Sequence, residues 1–139
     1  MYSIGQLSKA TAIKVSTLRY YEEIGLISKP DRSVGNQRRY EPSTLERVNF
    51  ISHCRDLGLS IDSIRDLITL SKMPDMPCIK AHKIAEDHLE KIRLKMLHLK
   101  KLQIELKRIS EVCDQNSIGE CKVIEAFGDH DACLTDHRP

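Results

Sequence analysis

CIKAHKIAEDHLEKIRLKMLHLKKLQIELKRISEVC, residues 78–113, is the stretch that decides the fold. Neither Pro nor Gly interrupts it, so nothing breaks a helix between Ile79 and Cys113. Ala85, Leu89, Ile92, Met96, Leu99, Gln103 and Leu106 recur in alternating steps of four and three, the spacing of a coiled-coil seam. A second apolar row, from Leu94 and Leu97 to Ile109 and Val112, widens the stripe. So small a chain has too little of its own protein to cover such a helix, and the seam predicts a homodimer. At ~1.5 Å rise per residue, the 35 steps from Cys78 to Cys113 span roughly 50 Å. One intact chain therefore cannot bring both thiols to one ion. An antiparallel pair can: Cys78 of one chain lies beside Cys113 and Cys121 of the other, which makes two soft-metal sites straddling the interface.

Working outward from the long helix, Pro74-Asp-Met-Pro77 is a break and a hinge. Before it, Glu41-Pro-Ser43 starts a helix with Pro in its first turn, and Gly58 stops it. Ser60 caps the next helix, where Ile61, Ile64, Leu67 and Ile68 repeat at helical spacing. The first forty residues read as two short helices and a turn-rich hairpin. Ser3 with Gln6 has capping-box form, and a second helix from about Val15 or Ser16 ends at Gly25. Leu26-Ile-Ser28 and Arg38-Arg-Tyr40 flank a polar segment with Gly35-Asn36, the chemistry of a hairpin tip. A basic hairpin after a helix-turn-helix is a wing. Beyond Cys113, residues 114–121 are loop by composition, and Val123–Phe127 can form a helical turn.

The fold class is therefore mainly α. Residues 1–71 form a winged helix-turn-helix DNA-binding domain with a second helix pair, and 72–78 a hinge. Residues 79–113 form a long antiparallel coiled-coil dimerisation helix. Residues 114–127 form a metal-binding loop with a short helix, and 128–139 a flexible polar tail.

Charge divides the chain. The total is +2 over 139 residues, but residues 9–39 carry a net +4 and residues 114–139 a net −4. A basic front and an acidic tail suggest nucleic acid at one end and a cation at the other. Aromatic content is 4% with no Trp, so the core must be aliphatic. The N-terminus has no charged run followed by an apolar stretch, and no apolar run approaches membrane-spanning length, so a cytoplasmic protein with no membrane partner is expected. In that compartment five spaced cysteines suggest metal ligands or redox thiols rather than bridges. No nucleophile–base pair or phosphate loop points to an enzyme.

Several segments together resemble the MerR family of bacterial transcription activators. Ile4–Thr11 is similar to its first helix and Val15–Leu26 to its recognition helix, with Arg19-Tyr-Tyr-Glu22 the most specific part. Arg32–Tyr40 is similar to the wing and Ile51–Ile68 to the second helix pair. The resemblance implies a homodimer on a palindromic promoter whose polymerase-binding elements are too far apart. Effector binding then changes how the protein twists and bends the DNA so that RNA polymerase can open it, control through deformation energy.

On that reading Arg19 and Tyr20 face DNA, Arg suiting guanine edges or phosphate and Tyr phosphate, with Thr17 a turn earlier. Lys14 and Ser16 suit backbone contact at the helix start, and Arg32, Arg38 and Tyr40 supply the wing. Tyr21 points about 100° away from Tyr20 and is assigned to packing. Cys54, on an apolar face with Ile51, is assigned to the core.

The metal ligands are Cys78, Cys113 and Cys121. Two thiolates neutralise Cu(I) to a net −1, and three do the same for a divalent ion, so a third Cys favours divalent ions. In the family, copper-reading members have Ser where this chain has Cys78. The spacing most resembles the cadmium and lead sensors. Zinc and mercury sensors are close, but Asp114 follows Cys113 here and the loop has no His, which departs from the zinc pattern. Cd(II) or Pb(II) is favoured, with Zn(II) and Hg(II) as further candidates. His82, His88, His130, Cys133 and His137, with Asp136 nearby, are a candidate accessory metal set. The alternatives are a Cu(I)- or thiol-redox-responsive regulator of the same family and, from another class, a metal-buffering protein.

Overall fold

In a computed structural model, which describes residues 1–113, 115, 117–133 and 137, the chain starts with the cap its sequence encodes. The Ser3 hydroxyl accepts from the Gln6 N–H at 3.2 Å, and the Gln6 side-chain oxygen Oε1 accepts from the Ser3 N–H at 2.8 Å. This reciprocal box satisfies two otherwise orphaned donors and launches α1, Ile4–Thr11. Helix α2, Val15–Glu23, follows a tight turn. Gly25, at φ +74°, closes it. The Leu26 and Ile27 N–H groups both turn back to the Tyr21 carbonyl, at 2.8 and 3.3 Å.

That closure moves the wing's first strand. Leu26 and Ile27 spend their donors on α2 and bury their side chains in the core instead of pairing in a sheet. Strand β1 is Asp31–Arg32, just past Pro30, and runs antiparallel to β2, Arg38–Arg39. Asn36, not Gly35, takes the left-handed conformation at the tip, at φ +61°. The Asn36 N–H donates to the Ser33 carbonyl and the Ser33 N–H to the Gln37 carbonyl, each at 2.8 Å, a three-residue hairpin loop with a left-handed third residue. Tyr2 and Tyr40 exchange two backbone hydrogen bonds of 2.8 Å, which tie the N-terminus to the base of the wing.

Helix α3, Pro42–Asp56, has Pro in its first turn, where its missing N–H costs nothing. Gly58, at φ +86°, ends it. Helix α4, Ile61–Ser71, is capped by Ser60, whose hydroxyl accepts from the Ser63 N–H at 3.1 Å. Helix α1 packs on α2 and α3, and α3 on α4. Leu7, Leu18, Val48, Ile51 and Ile64 are fully buried between them, and each such side chain contributes about 1.5–3 kcal/mol of transfer free energy.

Helix α5, Ile79–Glu111, is unbroken over 33 residues. A 3-10 turn at Ile118–Glu120, helix α6 at Lys122–Phe127 and a second 3-10 turn at His130–Ala132 follow. The chain divides into two compact units, residues 1–81 and 82–139. The second contains most of α5, and its seam is bare. Leu89, Met96, Leu99 and Leu106 are between 53% and 69% exposed. Among the described residues, no helix is long and apolar enough to cross a membrane.

Candidate nucleic-acid interface and metal centre

The 3.6-residue period of α2 sorts its side chains by face. Leu18 and Tyr21 point into the core, while Lys14 (at the N-cap), Ser16, Arg19 and Tyr20 are exposed. Tyr20 is 48% exposed and leans on Tyr21, the ring centroids 6.1 Å apart. Thr17 is half-buried. The outward face thus offers two cations and two hydroxyls, the donors a phosphate backbone and base edges accept from.

Tyr40 is corrected by the structure. It is only 1% exposed, and its hydroxyl donates to Glu22 Oε2 at 2.9 Å. Burial, helped by that hydrogen bond and the Glu22 charge, pushes its pKa up to about 12. A buried phenol held by a carboxylate cannot reach DNA, so Tyr40 is part of the core. Glu22 also pairs with Arg38, Oε1 to Nε 3.6 Å, and so joins the recognition helix to the second wing strand. Arg38 is half-buried in this pair, while Arg32 is exposed and donates from Nη1 to Asn36 Oδ1 at 2.8 Å, bracing the hairpin tip.

A polar cleft of about 190 Å³ was not anticipated from sequence. Arg47 and Lys72 line it with Ser28, Ser43 and Thr44. It sits at the first turn of α3, where helix N–H groups favour anions. Two cations and three hydroxyls at a helix start can take a phosphate oxygen. Its members come from three separate segments, so no local motif announces it.

The three metal-candidate thiols are all unbonded. Cys78 is exposed just before α5 and borders a mainly apolar cleft of about 490 Å³ with Phe50, Met73 and Met76. Cys113 is exposed just past the end of α5. Cys121 is half-buried at the start of α6 and lines an open cleft of about 670 Å³ with Ile118, Glu120 and Glu125. The 33 helical residues between Cys78 and Cys113 keep them roughly 50 Å apart in one chain. Accessible thiols are the donor type that soft ions select. Cys54 is buried between helices, and desolvation pushes its thiol pKa up, which makes it a packing residue.

Of the accessory set, His130, Cys133 and His137 come together. His82 does not join them; its Nε2 pairs with Glu86 Oε1 at 2.8 Å. His88 is half-buried along α5 and is also outside that cluster. Asp114 and Asp136 lie outside the described residues.

Two family models match the chain: "MerR HTH family regulatory protein" over residues 2–70 and "MerR, DNA binding" over residues 45–109. The HTH-type transcriptional regulator ZntR of Escherichia coli strain K12 is 33% identical over 130 residues, covering 91% of this chain and 92% of that protein. The mercuric resistance operon regulatory protein of Bacillus cereus is 30% identical over 127 residues, 91% of this chain and 96% of that one. Among solved structures, the transcription regulator PbrR691 from Ralstonia metallidurans CH34, in complex with lead(II), superposes with a TM-score of 0.80 at 35% identity. It covers 91% of this chain and 99% of its own.

Proposed function

The chain belongs to the MerR family of helix-turn-helix transcription regulators, in its metal-responsive branch, and from that premise we propose a homodimer on a palindromic promoter that a divalent soft metal switches to activation. In this reading each ion is held by Cys113 and Cys121 of one chain and Cys78 of the other. Cd(II) or Pb(II) is the favoured effector, with Zn(II) and Hg(II) next.

The observation that carries the reading is the uninterrupted helix α5, with a free thiol at each end and a bare apolar seam between. A seam this exposed favours a second copy of the same helix. Antiparallel pairing then sets Cys78 beside the other chain's Cys113 and Cys121. Three thiolates leave a divalent ion at net −1, matched to soft ions. The 35% identical regulator, solved in complex with lead(II), supports a soft divalent effector.

The exposed face of α2 and the basic wing bind DNA in this reading, and RNA polymerase acts on the distorted promoter. Metal would tie the 114–121 loop to Cys78, next to the Pro74–Pro77 segment that carries the DNA-binding helices. The test is transcription from the cognate promoter titrated with each buffered ion. Activation by Cd(II) or Pb(II) that disappears in Cys78→Ser is expected. Full divalent activation in Cys78→Ser would refute the cross-chain triad, and activation by Cu(I) alone would refute the divalent assignment.

A further inference from the structure

The C-terminal segment gathers three metal-ligating side chains apart from the sensor thiols. The 3-10 turn at His130–Ala132 is pinned by Asp129, whose carboxylate accepts from the Asp131 N–H at 3.1 Å. Its exit leads to Cys133, whose N–H donates to the His130 carbonyl at 3.0 Å. The candidate ligand atoms of His130, Cys133 and His137 all lie within 4.8 Å of one another. Cys133 Sγ is 3.4 Å from His137 Nε2. The two imidazole rings meet edge to face, centroids 4.9 Å apart.

Zinc–nitrogen and zinc–sulfur bonds of about 2.05 and 2.3 Å at a tetrahedral angle set N and S about 3.6 Å apart. The Cys133–His137 edge already has nearly that length, so an ion needs only a modest inward turn of His130. His130 is exposed and the other two are half-buried, so the site opens to solvent.

We propose that His130, Cys133 and His137 form a second metal site in each protomer, for a borderline divalent ion such as Zn(II). Binding releases the Cys133 thiol proton to solvent and forms a sulfur–metal bond. Two neutral imidazoles and one thiolate leave the bound ion at net +1, with the fourth tetrahedral corner open to water. This donor set is harder than three thiolates, because imidazole suits zinc, copper and nickel while thiolate-only sites select softer ions. The site shares a compact unit with Cys113 and Cys121, so one end of the molecule would hold two sites that sort ions differently.

The test uses the full chain with Cys78, Cys113 and Cys121 all replaced by Ser, reduced and titrated with Co(II). One cobalt per protomer is expected, with intense tetrahedral absorption and a thiolate-to-cobalt charge-transfer band. Adding Cys133→Ser removes that band, and adding His137→Ala weakens binding. In the otherwise unaltered chain, Cys133→Ser lowers the bound Zn(II) by one ion per protomer. A triple-Ser protein of wild-type helicity that binds no cobalt would overturn the proposal. So would a charge-transfer band that survives Cys133→Ser, or unchanged zinc stoichiometry. The sensor thiols are absent from the cobalt background, so failure there leaves the cross-chain triad standing, and failure of the triad leaves this site standing.

Discussion

Replacing Tyr40 by Phe removes one hydroxyl from the centre of the DNA-binding unit, and its cost can be worked from the geometry. The hydroxyl donates to a carboxylate at 2.9 Å in a residue that is 1% exposed. A hydrogen bond to a charged group contributes about 1.5–3 kcal/mol. Glu22 keeps Arg38, at 3.6 Å, after the substitution, so the lower half of that range is expected, about 1.5–2 kcal/mol in urea unfolding. Burial of the hydroxyl, together with the same bond, predicts a pH signature. A pKa raised from 10.0 to about 12 means that the folded state keeps a proton the unfolded state loses. Stability from this group is therefore complete below pH 10 and is lost as pH climbs to about 12, a total of at most about 2 kcal/mol after solvent screening. The assay is urea midpoints for wild type and Tyr40→Phe at several pH values between 8 and 12. The two curves should converge as pH rises. A constant difference across that range would show that the hydroxyl is neither desolvated nor held by Glu22 in the folded state.

Other consequences are open to direct measurement. Leu99 is 62% exposed in one chain, so burying that area in a dimer returns roughly 1–2 kcal/mol per copy, and Leu99→Ala should raise the dimer dissociation constant about 30- to 700-fold. Sedimentation velocity reads this, with Lys100→Ala as the control that should not move. Lys14→Ala should weaken operator binding evenly across sequences and reduce the salt slope by about 1. Arg19→Ala should also relax sequence preference, with a loss of about 1–3 kcal/mol if it reads a base edge. Competition binding with scrambled operators separates the two. Arg47→Ala should lower operator affinity without changing preference, and no effect on affinity would exclude the α3 cleft as a phosphate contact.

What could be read in advance follows the range of the interactions involved. The caps at Ser3 and Ser60 and the stops at Gly25 and Gly58 are settled within three or four residues, so their chemistry is visible in a short window. The seam of α5 is periodic, and periodicity needs no knowledge of what packs against it. Nothing local marks Tyr40 as buried. It follows Arg38 and Arg39 in a basic segment, and its partners are Glu22, eighteen positions away, and Tyr2 at the chain start. The first wing strand starts later than its side chains suggest for a related reason. Leu26 and Ile27 have strand-like side chains, but both donors are already taken by the Tyr21 carbonyl. The tail shows the same limit from the other side. Read as composition, residues 128–139 are a polar segment with two His and one Cys, and the 130, 133, 137 spacing matches no regular element. The turn pinned by Asp129 brings His130 next to Cys133, and His137 lies against both. The same dependence on a partner extends past the single chain. In the proposed homodimer, helix α5 keeps Cys78 and Cys113 of one chain apart, and the choice of metal would then be a property of the interface rather than of either protomer.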